Sequence, residues 1–401
     1  APEVATVFTT HSTVTGRALA GTGQSFYKGL ESYVGEPEAK QMGVSSKHSL
    51  EKSAAFAADC FTAVSEVTGK ECQQILKKNP NIITPNGFKG LIIPEGNDYI
   101  AAKNKSKEKL KSIAEKMLGY SLPNDMFYIA TGGRNEFHNK GYDAYIEALA
   151  DIQKENISKP ILAYIFVPDH IYGPRKDLLG TGTYSNEGLC KLITHDIHNC
   201  EDSLIIKKLK ECGFENKKTD KVKIIYVPSF LNGDDGIFNE TYYNLLIGCD
   251  LTVFPAYYEA WGYTPVESVA LGVPTITTNL AGFGKWINGL KSIPKDAVDV
   301  LQRDDFNYHS FVETLVKTII SKLSWSQENV SKIIKSTKAI NELCLWENQH
   351  KKYEEAYNFA LLKAKNKDKK IIRNQKNQNM ATNLNRNRHN KLPPSLRTSL
   401  T

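Results

Sequence analysis

The chain has 401 residues, too long for one ordinary core, which predicts two domains or one large one, and its composition is that of a soluble globular protein. Its seven cysteines are odd in number, scattered and never paired as C-x-x-C, which argues against a disulfide framework or a zinc ribbon and fits a reducing cytoplasm. The formal charge of +7 is concentrated in residues 363–401, where eleven Lys or Arg face one Asp; the tail carries +10 and the rest −3, so the body is close to neutral and the charge argues against a nucleic-acid or anionic-surface role for it.

The chain opens APEVATVFTT, without an initiator Met or a basic, apolar leader, so residue 1 is expected to begin a fragment or a processed chain. No apolar run reaches about 18 residues, so no membrane span is expected. VFTT (7–10) reads as a strand. KHSLEKSAAFAADCFTAVSEVTGKECQQIL follows as helix, strand and helix, with Thr68 and Glu71 spaced as a capping box for the second helix. NIITPNGFKG (81–90) breaks the pattern and is expected to approach an interdomain hinge. Then come buried strands FYIA (127–130), ILAYIFVP (161–168), VKIIYVP (222–228), LTVFP (251–255) and PTITT (274–278). Between the first two, Tyr145, Leu149 and Ile152 recur at helical spacing, which completes a βαβ unit. A closing helix is expected over 340–364, and the Asn- and Lys-rich remainder is too polar to bury a core.

The densest chemistry lies in YYEAWGYTPVESVALGVPTITTNLAGFG (257–284). It follows the carboxyl end of LTVFP, where open α/β sheets bind ligands. Thr264 is expected as N-cap and Pro265 as first helical residue, so that the N–H groups of Gly262, Tyr263 and Thr264 face an anion such as a diphosphate. Glu267, on the first helical turn, could bond a ribose diol. Glu259 could hold sugar hydroxyls or stabilise positive charge at an anomeric carbon, and Trp261 offers a stacking surface. Upstream, Arg134 and Lys140 in GGRNEFHNKG flank the loop after FYIA, at the same edge of the sheet. His195, His198 and Cys200 in THDIHNC read as satisfied polar groups rather than zinc ligands. Asp234 and Asp235 lie among the turn formers Asn232, Gly233 and Gly236.

YYEAWGYTPVES with TITTNLAGFG resembles the signature of glycogen (starch) synthases of the eukaryotic type, which also occur in some bacteria. VFTTHSTVTGRALAG, HSLEKSAAFAADCFTAVSEVT, ITPNGF, TGGRNEFHNKGYDAYIEAL and VKIIYVPSFLNGDDGIFNETYYNLLIGCD resemble further segments of that family in the same order, over roughly residues 5–365. The resemblance implies an α/β GT-B fold, with two Rossmann-like domains around a cleft and the first domain incomplete. Residues 1–95 would be the later part of the first domain and 96–339 the nucleotide-sugar-binding domain. Residues 340–365 would be a helix returning toward the first domain, and 366–401 a disordered basic tail. The activity implied is retaining transfer of glucose from UDP-glucose, with ADP-glucose open, to the non-reducing 4-hydroxyl of an α-1,4-glucan such as glycogen. No metal, cofactor, nucleic acid or membrane is implied, and a homo-oligomer is left open.

Carried over residue by residue, Arg134 and Lys140 match the basic pair that grips the donor diphosphate, and His11 the histidine that approaches the donor glucose. Arg17 matches an arginine near the diphosphate or effector region, and Tyr242 the aromatic that stacks on the nucleobase. Asn135 stands where an aromatic is usual and Ala260 where Pro is common. The region of the arginine-rich regulatory helix for glucose 6-phosphate offers Lys332, Lys335 and Lys338 and no Arg, so that response is expected to be weak or missing. The competing reading is a truncated, non-catalytic glucan-binding or scaffold relative. A basic tail acting on nucleic acid would instead predict salt-sensitive binding lost with residues 366–401.

Overall fold

The computed structural model describes residues 4–90, 96–184, 186, 188–291 and 293–367. Most of the tail expected over 366–401 therefore lies outside the described residues. Three parallel strands, β1 (Val7–Thr10), β2 (Cys60–Ala63) and β3 (Ile82–Ile83), form a first sheet in that order. A second sheet holds β4 (Phe127–Gly132), β5 (Ile161–Phe166), β8 (Val222–Val227), β9 (Leu251–Val253), β10 (Thr275–Thr278) and β11 (Val298–Leu301), all parallel. The short strands β6 (Ile171–Pro174) and β7 (His195–Ile197) pair antiparallel outside it.

The order of the large sheet, β11-β10-β9-β4-β5-β8, reverses direction between β4 and β9. That is the doubly wound order of a Rossmann-like sheet, whose crevice opens where the winding switches. The strands are apolar on both faces because both are covered. Phe127 and Ile129 of β4 and Ile161, Ala163 and Ile165 of β5 pack beneath the helices Tyr142–Lys154, Leu204–Glu211 and Tyr308–Lys322. The alternate residues Tyr128, Ala130, Leu162, Tyr164 and Phe166 join Leu110, Ala114 and Met117 of the helix Gly96–Leu118 on the other face. This period of two, apolar on each side, gives the continuous hydrophobic runs seen in the sequence.

Two local expectations are corrected. The helix after β2 starts at Glu66 and not after Thr68: Ser65 is its N-cap and accepts from the Thr68 N–H, so the Thr68–Glu71 capping box does not form. The expected closing helix is two pieces. Gln327–Cys344 packs on the second unit, the backbone breaks at Leu345, and helix resumes over 346–367. At the break, Phe88 and Leu345 form a parallel bridge, with Phe88 N donating to Cys344 O at 2.7 Å and Trp346 N to Phe88 O at 3.1 Å. Beyond it, Ala356 and Ala360 lie buried against Cys60 of β2, and Lys367 bonds Asp59 at 2.6 Å. No helix among the described residues is long and apolar enough to cross a membrane.

Candidate active site at the switch point

The loop leaving β4 and the loop leaving β9 are stitched together. Tyr257 N and Tyr258 N both donate to Asn139 O, at 2.9 and 3.0 Å. Gly141, between the short helix Phe137–Lys140 and the helix Tyr142–Lys154, has φ +73°, and a Cβ there would stand 2.0 Å from Pro255 O. Only glycine combines that left-handed backbone with so close an approach. Arg303, 2 % exposed, donates to Pro255 O from below and lies over the rings of Tyr257, Tyr308 and Phe311 at 5.4, 5.7 and 5.0 Å. Desolvation weakens its hold on the proton, and these π faces supply part of the solvation that burial removes.

This frame brings Lys140 and Glu259, 119 residues apart, into an ion pair. Both side chains are mostly buried, and both line a small cavity with Gly132, Thr264 and Pro265. Glu259 is fixed through its backbone: its O accepts from Gly282 N at 3.0 Å, and Trp261 O accepts from Phe283 N at 2.7 Å. The helix at 263 begins earlier than the sequence suggests. Gly262 is the N-cap, at φ +101°, and the helix runs Tyr263–Ala270, so Thr264 is its second residue rather than its cap and Pro265 its third. Glu267 is consequently on the second turn, not the first. The N–H groups of Gly262, Tyr263 and Thr264 bond no described residue, as is normal in the first turn of a helix, and they leave positive partial charge beside Lys140.

A second groove continues from this point, lined by Gly133, Phe166, Leu231, Tyr242 and Thr264, and is mostly apolar. The Tyr242 ring meets Phe166 edge-on at 6.0 Å, and its hydroxyl is buried without a partner among the described residues. Next to it, Tyr243 donates to Glu267 at 3.0 Å, and burial raises the Glu267 carboxyl above its ordinary value against that bond and the pull of Lys140. Trp261 does not offer the expected stacking surface. It is 3 % exposed, packed against Phe283 and Trp286 behind the helix, because the 259–261 segment pairs with 281–283 and turns the indole into the core.

The first sheet contributes from the opposite side. Arg17, on the helix Val14–Ala20, pairs through Nε and Nη2 with Glu136 in the loop after β4. Arg134 reaches the same carboxylate through Nε at 3.1 Å while staying 66 % exposed. His11 sits after β1 with its Nδ1 3.4 Å from Asn86 Nδ2, and Tyr263 OH reaches the neighbouring Gly87 O at 3.5 Å. Two residues missed in the sequence carry much of this junction. Glu71 is buried and accepts from Tyr258 OH with both oxygens at 2.9 Å, from Thr13 N at 2.9 Å and from Thr13 Oγ1. Burial pushes its carboxyl up to about 7 despite those bonds. Asp305 accepts from Tyr257 OH and Ser25 Oγ, both at 2.6 Å, and from Lys28 N at 2.7 Å. Burial raises its pKa, but the hydrogen bonds win and hold it below the ordinary value.

His195 is buried between Thr194 Oγ1 and Asp235 O, each 2.8 Å from a ring nitrogen. Asp235 in turn accepts the N–H groups of Ile237, Phe238 and Asn239, which makes it a turn-forming residue.

The family model described as glycogen synthase matches residues 2–172 and 175–401. The chain belongs to the glycogen synthase family. It is 28% identical over 439 residues to glycogen [starch] synthase isoform 2 of Saccharomyces cerevisiae, an alignment that covers 90% of this chain and 61% of that protein. It is 26% identical over 421 residues to glycogen [starch] synthase of Caenorhabditis elegans, covering 90% and 62%. The chain thus spans about three fifths of the length of these curated relatives. In this member of the glycogen synthase family the described residues form a three-stranded parallel sheet and a six-stranded parallel sheet wound in the Rossmann-like order.

Proposed function

We propose that the crevice binds a nucleoside diphosphate sugar, and that the natural protein transfers glucose from it, with retention, to the non-reducing 4-hydroxyl of an α-1,4-glucan. The observation that carries this reading is the Lys140–Glu259 pair at the switch point, beside the unbonded N–H groups of Gly262, Tyr263 and Thr264. A departing diphosphate needs cations and donors already in place, and Arg134, Lys140 and these amides supply them without a metal. Glu259 stands where it can stabilise an oxocarbenium-like centre or orient the sugar. When the diphosphate draws Lys140 toward itself, the carboxylate is freed for that task.

The groove beside Tyr242 suits a nucleobase ring, with the ribose diol toward Glu267. UDP is the donor nucleotide favoured by the resemblance, ADP the alternative. His11 approaches from the first unit, and Trp261 supports the helix start from behind. Closure of the two units over the donor excludes water, which would otherwise hydrolyse it.

The test is incorporation of glucose from UDP-glucose and from ADP-glucose into glycogen by the natural full-length protein, with Glu259→Gln alongside. No incorporation from either donor overturns the reading, and undiminished turnover by the variant overturns the role given to Glu259.

A further inference from the structure

Two cationic side chains meet at one carboxylate, that of Glu136. Arg17 comes from the first unit, and Arg134 lies two residues before Glu136 in the second. Arg17 uses Nε and Nη2, one whole edge of its fork, on Glu136. Arg134 approaches it through Nε, and its side chain stays two-thirds exposed. A second tie spans the same gap, since Asn139 Nδ2 donates to Arg17 O at 3.3 Å one residue before Lys140.

We infer that Glu136 is a positioning residue: it clamps Arg17 across the crevice and steers Arg134, so that the loop bearing Arg134 and Lys140 is set for a nucleoside diphosphate. Arg17 acts on the donor through this clamp rather than by direct contact. The inference rests on the nucleotide reading of the crevice. It also makes a prediction opposite in sign to simple electrostatics. Removing a negative charge beside a site for a dianion should tighten binding by Coulomb's law, whereas loosening a clamp should weaken it.

The experiment is calorimetric titration of the 401-residue chain with UDP and with ADP. Glu136→Gln keeps the shape and loses the charge, and is expected to weaken binding about tenfold, while Glu136→Asp keeps the charge and stays within about threefold. Arg17→Met should weaken binding similarly, and the double variant should be no worse than Arg17→Met alone, because the two residues act as one unit. A packing role would not rank Asp above Gln. Arg17→Lys, which keeps the charge without the fork, is expected to fall between wild type and Arg17→Met, and serves if Glu136→Gln fails to fold. Binding by Glu136→Gln that equals or exceeds that of wild type, or additive losses in the double variant, overturns the clamp alone. Failure of the wild-type chain to bind either nucleotide overturns the donor reading, and the clamp with it.

Discussion

Lys140 and Glu259 neutralise each other across the line where the large sheet changes winding direction, one on the loop from β4 and the other on the loop from β9. Each is mostly shielded from water, so neither is a casual surface charge. Lys140→Met leaves the Glu259 carboxylate without its cation, and the expected loss of stability is about 2 kcal/mol, less than for a fully buried pair because both groups keep some water. Affinity for UDP should fall at least about tenfold. Denaturant unfolding and nucleotide titration check the two effects, and a variant unchanged in both would remove the pair from the site.

Gly141 is the backbone hinge of that arrangement. Alanine would need φ +73° and would push a methyl against Pro255 O. Left-handed strain of about 1 kcal/mol plus a clash of similar or larger size predicts a loss of roughly 3 kcal/mol for Gly141→Ala. Urea unfolding measures it, and a loss below about 1 kcal/mol would show that the two loops can part without cost.

Glu71 gives the protein a pH dependence with a definite sign. Its folded pKa, about 7, lies above the ordinary carboxyl value of 4.5, so the folded state holds this proton more tightly than the unfolded chain does. Its contribution is therefore most favourable below pH 4.5 and is lost as pH rises toward 7, on the order of 3 kcal/mol in all. Glu71→Gln should flatten the fall in stability between about pH 5 and pH 8. Unfolding free energies at both pH values test this, and an equally steep slope in the variant would show that the carboxyl titrates normally.

Tyr242 carries a buried hydroxyl with no partner among the described residues. Tyr242→Phe removes an unsatisfied group at constant shape and should be neutral or stabilising by up to about 1 kcal/mol, with nucleotide affinity kept. Tyr242→Ala removes the ring and should cost about 1–2 kcal/mol of nucleotide binding if a base stacks there. Thermal unfolding and UDP titration separate the two. Loss of affinity in the Phe variant would mean that the hydroxyl, rather than the ring, meets the ligand.

Glucose 6-phosphate is expected to activate the natural protein weakly or not at all. Lys332, Lys335 and Lys338 lie on the helix Gln327–Cys344, Lys332 is already paired with Glu328 at 2.7 Å, and lysine lacks the planar fork that grips phosphate in two places. Turnover measured with and without the sugar phosphate decides this, and strong activation would refute it.

Much of the second unit was legible because β4, β5, β8, β9 and β10 are buried throughout and read as short runs rich in β-branched and aromatic residues. By contrast, β11 is half-exposed at the sheet edge and mixes Asp299 into VDVL, so its periodicity is weak. The residues that tie the two units were harder to find. Glu71 sits three positions after Thr68 and mimics a cap, and Glu136 between two bases reads as ordinary surface charge; their roles depend on Tyr258 and Arg17, far away in sequence. Trp261 misled for a similar reason: an aromatic beside a ligand-binding turn suggests a platform, and only the pairing of 259–261 with 281–283 sends it inward.

The bond between Lys367 and Asp59 joins residues 308 positions apart, and the helix that carries Lys367 covers β2. During synthesis the small sheet must therefore wait, one flank bare, until nearly all the described chain has left the ribosome, while the six-stranded sheet can close first around its own contacts. Cutting the chain near Leu345 should thus disable the half that was made earliest, not the half nearest the cut.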